Sequence, residues 1–251
     1  MGRCADGIPG EGPPNLPIPS RHTMKSQYSA VLSAVLGLFA AAGTGRAAVV
    51  LSNLGQPNNG YDTVTYLSGP PVSESRLGAV FTTGSNPGGY LLESVSISLV
   101  GQFAASGNFT VSIYSSVSGA PGSLLATLAG DAQPSPGTGV TRDYSYAASG
   151  LSLAASTSYW VVNSVSGGVT GSYTWNIANS ANLDFSATGW SLGSSYALFN
   201  PPDSPEWVVT GGDPYKLSIE ATAVPEPAEY ALLSGLGLAG VVFLRRRRAA
   251  R

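Results

Sequence analysis

The sequence predicts an all-β domain over residues 48–222, built as an antiparallel β-sandwich of jelly-roll-like type. Short runs alternate between apolar and polar residues, as strands with one buried face do, and clusters of Gly, Pro, Ser and Asn separate them. No stretch between residues 48 and 224 keeps a helical period. Many short strands at such spacing are typical of sandwiches and jelly rolls.

Three segments, 90–100, 108–114 and 215–222, show the alternation most clearly. In the first, the expected inward residues are Leu91, Val95, Ile97 and Leu99. In the last, a polar set predicts a strand with one wet face, made of Lys216, Ser218, Glu220 and Thr222. Further candidate strands are 77–82, 123–128, 142–147, 158–163, 173–178 and 206–210, separated by turn clusters at 86–89, 118–122 and 211–214.

Residues 24–47 have the layout of a secretory signal peptide, which is a short basic start, an apolar stretch and small residues before the cleavage point. Gly45 and Ala47 fit cleavage after Ala47, and cleavage after Ala42 is the alternative. Residues 1–23 are rich in Pro and Gly and fit neither a signal nor a fold. We interpret them as an over-extended start, with translation beginning at Met24; the alternative is a long leading region of the signal itself.

Residues 224–251 form a segment in three parts. The prolines of 224–227 fix their own backbone and extend the residue before each of them, so this part predicts a stiff extended peptide. The uncharged residues 230–244, within a predicted helix 228–244, would cover about 22 Å, short of the roughly 30 Å hydrocarbon core, and arginine stems lengthen that reach. A basic stop within 245–251 predicts a cytoplasmic C-terminus: Arg245, Arg246, Arg247 and Arg248.

This layout predicts a single C-terminal transmembrane helix, and the arginine block argues against a buried helix of a soluble protein. Val224, Pro225, Glu226 and Pro227, with the apolar run and the arginines, resemble the PEP-CTERM sorting domain. That family is typical of Gram-negative bacteria that make exopolysaccharide, and exosortase, an integral membrane transpeptidase-like protease, recognises its signal. The resemblance implies that the Pro-Glu-Pro residues are the recognition residues and that cleavage falls near them. A plain membrane anchor without processing is the alternative.

Hydrophobic and turn patterns at 109–114, 119–128 and 157–162, together with Leu153, carry a second resemblance. They are similar to those of the choice-of-anchor ectodomains, most of all the type called R, over most of 50–222. The resemblance implies a surface domain without assigned catalysis, joined to one of several C-terminal anchors.

Cysteine and histidine are nearly absent, since Cys4 and His22 are the only ones and both precede Met24. The mature region therefore has no disulfide, no Ser-His-Asp or Cys-His catalysis and no zinc site with Cys or His ligands. Three basic residues against ten acidic ones in 48–223 provide no basic patch for nucleic acid. We expect no cofactor and no nucleic-acid partner.

The acidic residues give two weaker hypotheses. Loops supply the oxygen ligands of calcium, and four candidates lie in or near predicted loops, namely Asp131, Asp143, Asp203 and Asp213. No EF-hand spacing accompanies them, and solvated turn carboxylates are the favoured explanation, so we predict no metal site. A glycosidase needs two carboxyl groups about 5–9.5 Å apart, and scattered acids, Glu93 included, make no specific case for one.

Sugar binding would use exposed aromatic rings as stacking platforms. Trp190 and Trp207 lie near Gly- and Pro-rich loops and are the candidates, although packing at the rim of the domain is the favoured interpretation of each. Trp160 and Trp175 sit in apolar strands and are expected in the core.

Taken together, the sequence predicts an exported, non-enzymatic β-sandwich that is held transiently in the inner membrane by its C-terminal helix. An exosortase-like membrane protease would then release it to the cell surface or extracellular matrix. There we expect a structural or adhesive role beside exopolysaccharide or other envelope components. The alternative is a carbohydrate-binding module that uses exposed aromatics.

Overall fold

The computed structural model describes residues 46–67, 73–103, 108–137, 139–166, 171–180, 182–200 and 204–226, with the separate positions 235, 238–240, 242, 245, 246 and 249. The chain divides into two compact units, and the unit Gly43–Ser234 contains every strand that the described residues form. The other unit combines Met1–Ala42 with Gly235–Arg251.

Several predicted segments lie wholly or mostly outside the described residues. They are the leader 1–23, the signal peptide 24–47 up to residue 45, most of the apolar run 228–244, and Asp203, Pro227, Arg247 and Arg248. Among the residues that are described, no helix has the length and apolar character needed to cross a membrane.

The described fold consists of β-strands. Their bounds are β1 (Ala48–Ser52), β2 (Asn58–Leu67), β3 (Ser73–Glu74), β4 (Arg76–Thr82), β5 (Tyr90–Phe103), β6 (Asn108–Val117), β7 (Ala120–Thr127), β8 (Arg142–Leu153), β9 (Ser158–Ser166), β10 (Gly171–Ala178), β11 (Phe185–Ser186), β12 (Ser191–Asn200), β13 (Ser204–Gly211) and β14 (Leu217–Ala223).

These strands form two antiparallel sheets. The larger has eight strands in the order β11-β1-β14-β5-β10-β2-β3, with β8 also paired to β5. The smaller has six, in the order β13-β12-β4-β9-β6-β7. The long strand β5 joins three neighbours, because β14 and β8 pair along its first part and β10 pairs from Leu99 onward. The prediction of an all-β, antiparallel, sandwich-like domain is therefore confirmed.

The smaller sheet curls on itself. Trp207 in β13 and Tyr114 in β6 stand four strands apart in the sheet order, yet their ring centroids are 6.5 Å apart. A flat sheet would separate those strands by about 19 Å at the usual spacing of neighbouring strands. The curl therefore brings β13 over the outer face of β9 and β6.

Two hydrophobic cores result. The main core lies between the sheets and includes Leu51, Ile97 and Ile219 from the larger sheet and Phe81 and Val161 from the smaller one. A second core fills the curl and is made of Trp160, Val162 and Ala197, with Val80, Tyr114 and Trp207 packed against it. Strand β9 contributes to both cores, which explains why its run 159–162 is apolar at every position.

Two predictions about side-chain facing are wrong. The register of β5 shifts between Leu92 and Ser94, so Leu92 enters the core while Leu91 is only half-buried. A β-bulge of this kind reverses the parity of the residues before it. The polar face of 215–222 is not wet, because Lys216, Ser218 and Thr222 are buried there. The segment that contains Gln56 and Asn58 covers Lys216.

Candidate functional site

The predicted sorting motif begins where the sandwich ends, with no spacer between them. Strand β14 ends at Ala223, and Val224, Pro225 and Glu226 follow as half-buried residues. The backbone N–H of Val224 donates to the carbonyl oxygen of Gly89 at 3.0 Å. The first three residues of the motif therefore lie against the folded domain.

A turn at residues 86–89, between β4 and β5, holds this segment. The side-chain amide nitrogen of Asn86 donates to the carbonyl oxygen of Val224 at 2.9 Å and to that of Gly89 at 2.7 Å. The backbone N–H of Gly89 closes the turn on the Asn86 carbonyl oxygen at 2.8 Å. The Asn86 side chain thus stabilises the turn internally and also binds the segment that follows β14.

Both glycines of the 86–89 turn are required by geometry. Gly89 has a φ of 74°, in the left-handed region that glycine adopts without a side-chain penalty. A Cβ at Gly88 would collide with the carbonyl oxygen of Val224. The sequence Asn-Pro-Gly-Gly predicted a turn correctly, but its contact with the motif depends on a residue 138 positions away.

Trp190 supports this turn from inside the domain. Its ring is 5% exposed, lies 4.9 Å from the ring of Tyr90 and stacks with Phe81 at 6.2 Å. The Tyr90 hydroxyl oxygen in turn accepts the backbone N–H of Asn86 at 3.2 Å. Trp190 is therefore packed inside the domain, in a turn that its N–H closes on the Ala187 carbonyl oxygen at 3.0 Å, and its ring is not exposed for stacking on a ligand.

Trp207 is half-buried rather than free to stack on a ligand. Its ring packs against Phe199 at 5.5 Å and forms part of the second core. Trp160 and Trp175 are fully buried, as expected from their strands.

The most exposed aromatic rings in the described chain are Tyr61 and Phe185. They lie on β2 and β11, which are separated in the larger sheet by β1, β14, β5 and β10. They do not form a row.

The acidic residues are dispersed among polar partners. Glu93 accepts a hydrogen bond from the Thr222 hydroxyl at 3.1 Å, Asp213 accepts from the Asn59 amide at 2.6 Å, and Asp184 accepts from the backbone N–H of Gly55 at 2.6 Å. Within the part of the chain that the structure describes, no group of three or more His, Cys, Asp or Glu side chains is arranged to hold a metal ion.

Sequence reasoning missed a buried lysine beside the larger sheet. Lys216 is 5% exposed, and its ammonium donates to the Gln56 carbonyl oxygen at 2.6 Å and to the Asn58 side-chain oxygen at 2.9 Å. The adjacent Tyr215 ring stacks on Trp175 at 4.4 Å. The alternating pattern around Lys216 is typical of a strand with one solvated face, so it predicted an exposed side chain. The segment that covers Lys216 includes Gln56 and Asn58, which are distant in the sequence, and no local pattern predicts that contact.

Two polar side chains are buried in the main core without partners among the described residues. Asn163 pairs in register with Leu77 and Val111, so it shares their inward face, and both of its amide atoms are unbonded. The hydroxyl of Tyr173 is likewise unbonded, and burial, followed by the charge of Asp131, raises the pKa of Tyr173 to about 12.

The chain matches no protein-family model, no curated protein and no solved structure. Its function is therefore inferred from its own residues and their geometry. Among the described residues, one predicted functional segment is hydrogen-bonded to the domain: the 86–89 turn binds Val224 of the predicted sorting motif.

Proposed function

We propose that this chain is an exported surface protein sorted by an exosortase-like membrane protease, with a non-catalytic structural or adhesive role beside exopolysaccharide. The observation that carries the proposal is the C-terminal order of a Pro-Glu-Pro motif, an uncharged apolar run and four consecutive arginines. The same proposal includes a cleaved signal peptide at 24–47 and a transient C-terminal membrane helix at 228–244.

The sandwich fits a scaffold role better than a glycan-binding one. Its tryptophans fill the two cores, and its most exposed rings lie on strands far apart in one sheet. A sugar-binding platform normally presents rings together on one accessible surface. We propose that the sandwich is of jelly-roll-like type; its two antiparallel sheets around one main core support this proposal.

The test is the intact mass of the protein recovered from the surface of its native host. We expect a mass that lacks the residues before Ala48 and everything after the motif. A mass that extends to Arg251 would mean a plain anchor and would refute sorting.

Substitution gives the matched test of the motif. The double variant Pro225→Ala with Pro227→Ala should be exported normally and remain at precursor mass, because the stiff extended shape of the motif is lost. Pro57→Ala is the control, since Pro57 is exposed and distant from the motif in sequence. Normal processing of the double variant would contradict the role assigned to the motif.

A further inference from the structure

The contact at Val224 engages both hydrogen-bonding groups of its backbone. Its N–H donates to Gly89 and its carbonyl oxygen accepts from the side chain of Asn86. An enzyme groove that takes an extended peptide pairs with such main-chain groups and with alternate side chains. While the 86–89 turn holds Val224, those groups are occupied.

The contact is built into the domain rather than incidental. The Asn86 side chain is oriented by its second bond, to the Gly89 carbonyl oxygen, and its backbone is fixed by the hydroxyl of Tyr90. The ring of Tyr90 packs edge-to-face against the buried ring of Trp190. The absence of a side chain at Gly88 leaves the space that the Val224 carbonyl occupies.

No residue separates the end of β14 from the motif. A flexible spacer would let an enzyme take the motif while the sandwich stays intact and remote. Here Val224 continues the last strand, and Pro225 and Glu226 are half-buried beside it. A groove that extends over Val224 as well as the Pro-Glu-Pro residues would therefore have to detach Val224 from the turn.

We propose that the 86–89 turn is a gate, which holds the start of the sorting motif on the sandwich so that the processing enzyme acts only on molecules in which Val224 has detached. This inference rests on the proposed function, and it adds regulation at the same motif. A net hydrogen bond changes an equilibrium constant by about fivefold. Removing the Asn86 side chain should therefore raise the detached population by about that factor.

The experiment uses the full-length chain and two release variants that act differently. Asn86→Ala removes the donor, whereas Gly88→Ala keeps Asn86 and displaces the Val224 carbonyl by steric contact. Asn182→Ala is the matched control, because Asn182 is an exposed loop residue whose side chain has no bond to the motif. Equal melting temperatures for all four proteins would exclude general unfolding.

The first readout is hydrogen exchange at the Val224 amide in the purified full-length chain, with the Phe109 amide, bonded to Ala132, as an internal reference. We expect about fivefold faster exchange at Val224 in both release variants and no change at Phe109. Unchanged exchange at Val224 would overturn the gate. The second readout is the rate at which newly made precursor is processed in the host.

Processing should be faster in both release variants and unchanged in Asn182→Ala. Faster exchange with unchanged or slower processing would show that detachment does not limit the enzyme, and would overturn the gate while leaving sorting intact. If the wild-type chain is never processed, the proposed function fails and the gate fails with it. The exchange result then still reports whether the turn holds Val224, so the two failures are distinguishable.

Discussion

Tyr173→Phe tests whether the orphaned hydroxyl in the main core destabilises the fold. The ring of Tyr173 is fully buried and packs on Phe109 at 4.8 Å, while its hydroxyl has no partner among the described residues. An unsatisfied buried polar group costs about 1–3 kcal/mol. Removing only that oxygen should therefore increase the free energy of unfolding near neutral pH by about 1–3 kcal/mol.

The same residue predicts a loss of stability in alkali. A tyrosine in the unfolded chain titrates near pH 10.0, whereas burial raises the pKa of Tyr173 to about 12 in the folded protein. The unfolded state thus releases a proton that the folded state retains. The contribution of protonated Tyr173 to the free energy of unfolding is complete below the pKa of the unfolded state. It is lost at about 1.4 kcal/mol per pH unit as the pH rises towards the pKa of the folded state. Tyr173→Phe should reduce this slope.

Denaturant unfolding at neutral pH and at several alkaline pH values measures both effects. Tyr146→Phe is the matched control, because it removes the same atom from a hydroxyl that donates to the Asp131 carbonyl oxygen at 3.0 Å. Burial, followed by the charge of Asp131, also raises the pKa of Tyr146. We expect Tyr146→Phe to cost about 1 kcal/mol at neutral pH. Tyr173→Phe proving as destabilising as this control would refute the reasoning.

Three further substitutions test the interior. Asn163→Leu keeps the branching of the side chain and removes two unbonded amide atoms. The melting temperature should therefore rise, by about 2–4 °C for each kcal/mol of stability gained. A lower melting temperature would mean that Asn163 has a partner such as bound water. Lys216→Ala leaves the acceptors on Gln56 and Asn58 unpaired and should lower the free energy of unfolding in urea by about 3 kcal/mol. An unchanged midpoint would argue against this contact. Trp190→Ala empties the core beneath the 86–89 turn and should cost about 3–5 kcal/mol in the same assay, whereas a neutral effect would restore Trp190 as a surface residue.

The sequence predicted strands where alternation is local and complete. Phe109, Val111 and Ile113 are inward in β6, as their spacing indicates. Five strands were missed, namely β1, β2, β3, β11 and β12. Turn-forming residues begin β2, a glycine interrupts β12, and β3 and β11 have only two residues each. Except for β3, their pairing comes from neighbours distant in the chain, and local propensity does not report it.

The curl of the smaller sheet and the position of the candidate site also depend on contacts between distant parts of the chain, so local sequence patterns did not predict them. A tryptophan beside a Gly-rich loop is equally compatible with exposure and with burial, and only the path of β11 to β13 decides that Trp190 and Trp207 pack inward. The Asn-Pro-Gly-Gly cluster predicted a turn because its chemistry is local. Its contact with Val224 depended on β14 ending beside it, which no local pattern encodes.

The register of β1 and β14 places side by side the two ends of the sandwich that adjoin the predicted processing signals. The two strands are antiparallel, and Ala48 pairs with Ala221, so the start of β1 lies beside the end of β14. Cleavage after Ala47 would leave β1 whole and place the new amino terminus next to the strand that leads into Val224. Cleavage after Ala42 would add five residues at the same edge. If both proposed signals are processed, the two new ends would therefore lie at one edge of the sandwich, the edge at which the 86–89 turn holds Val224.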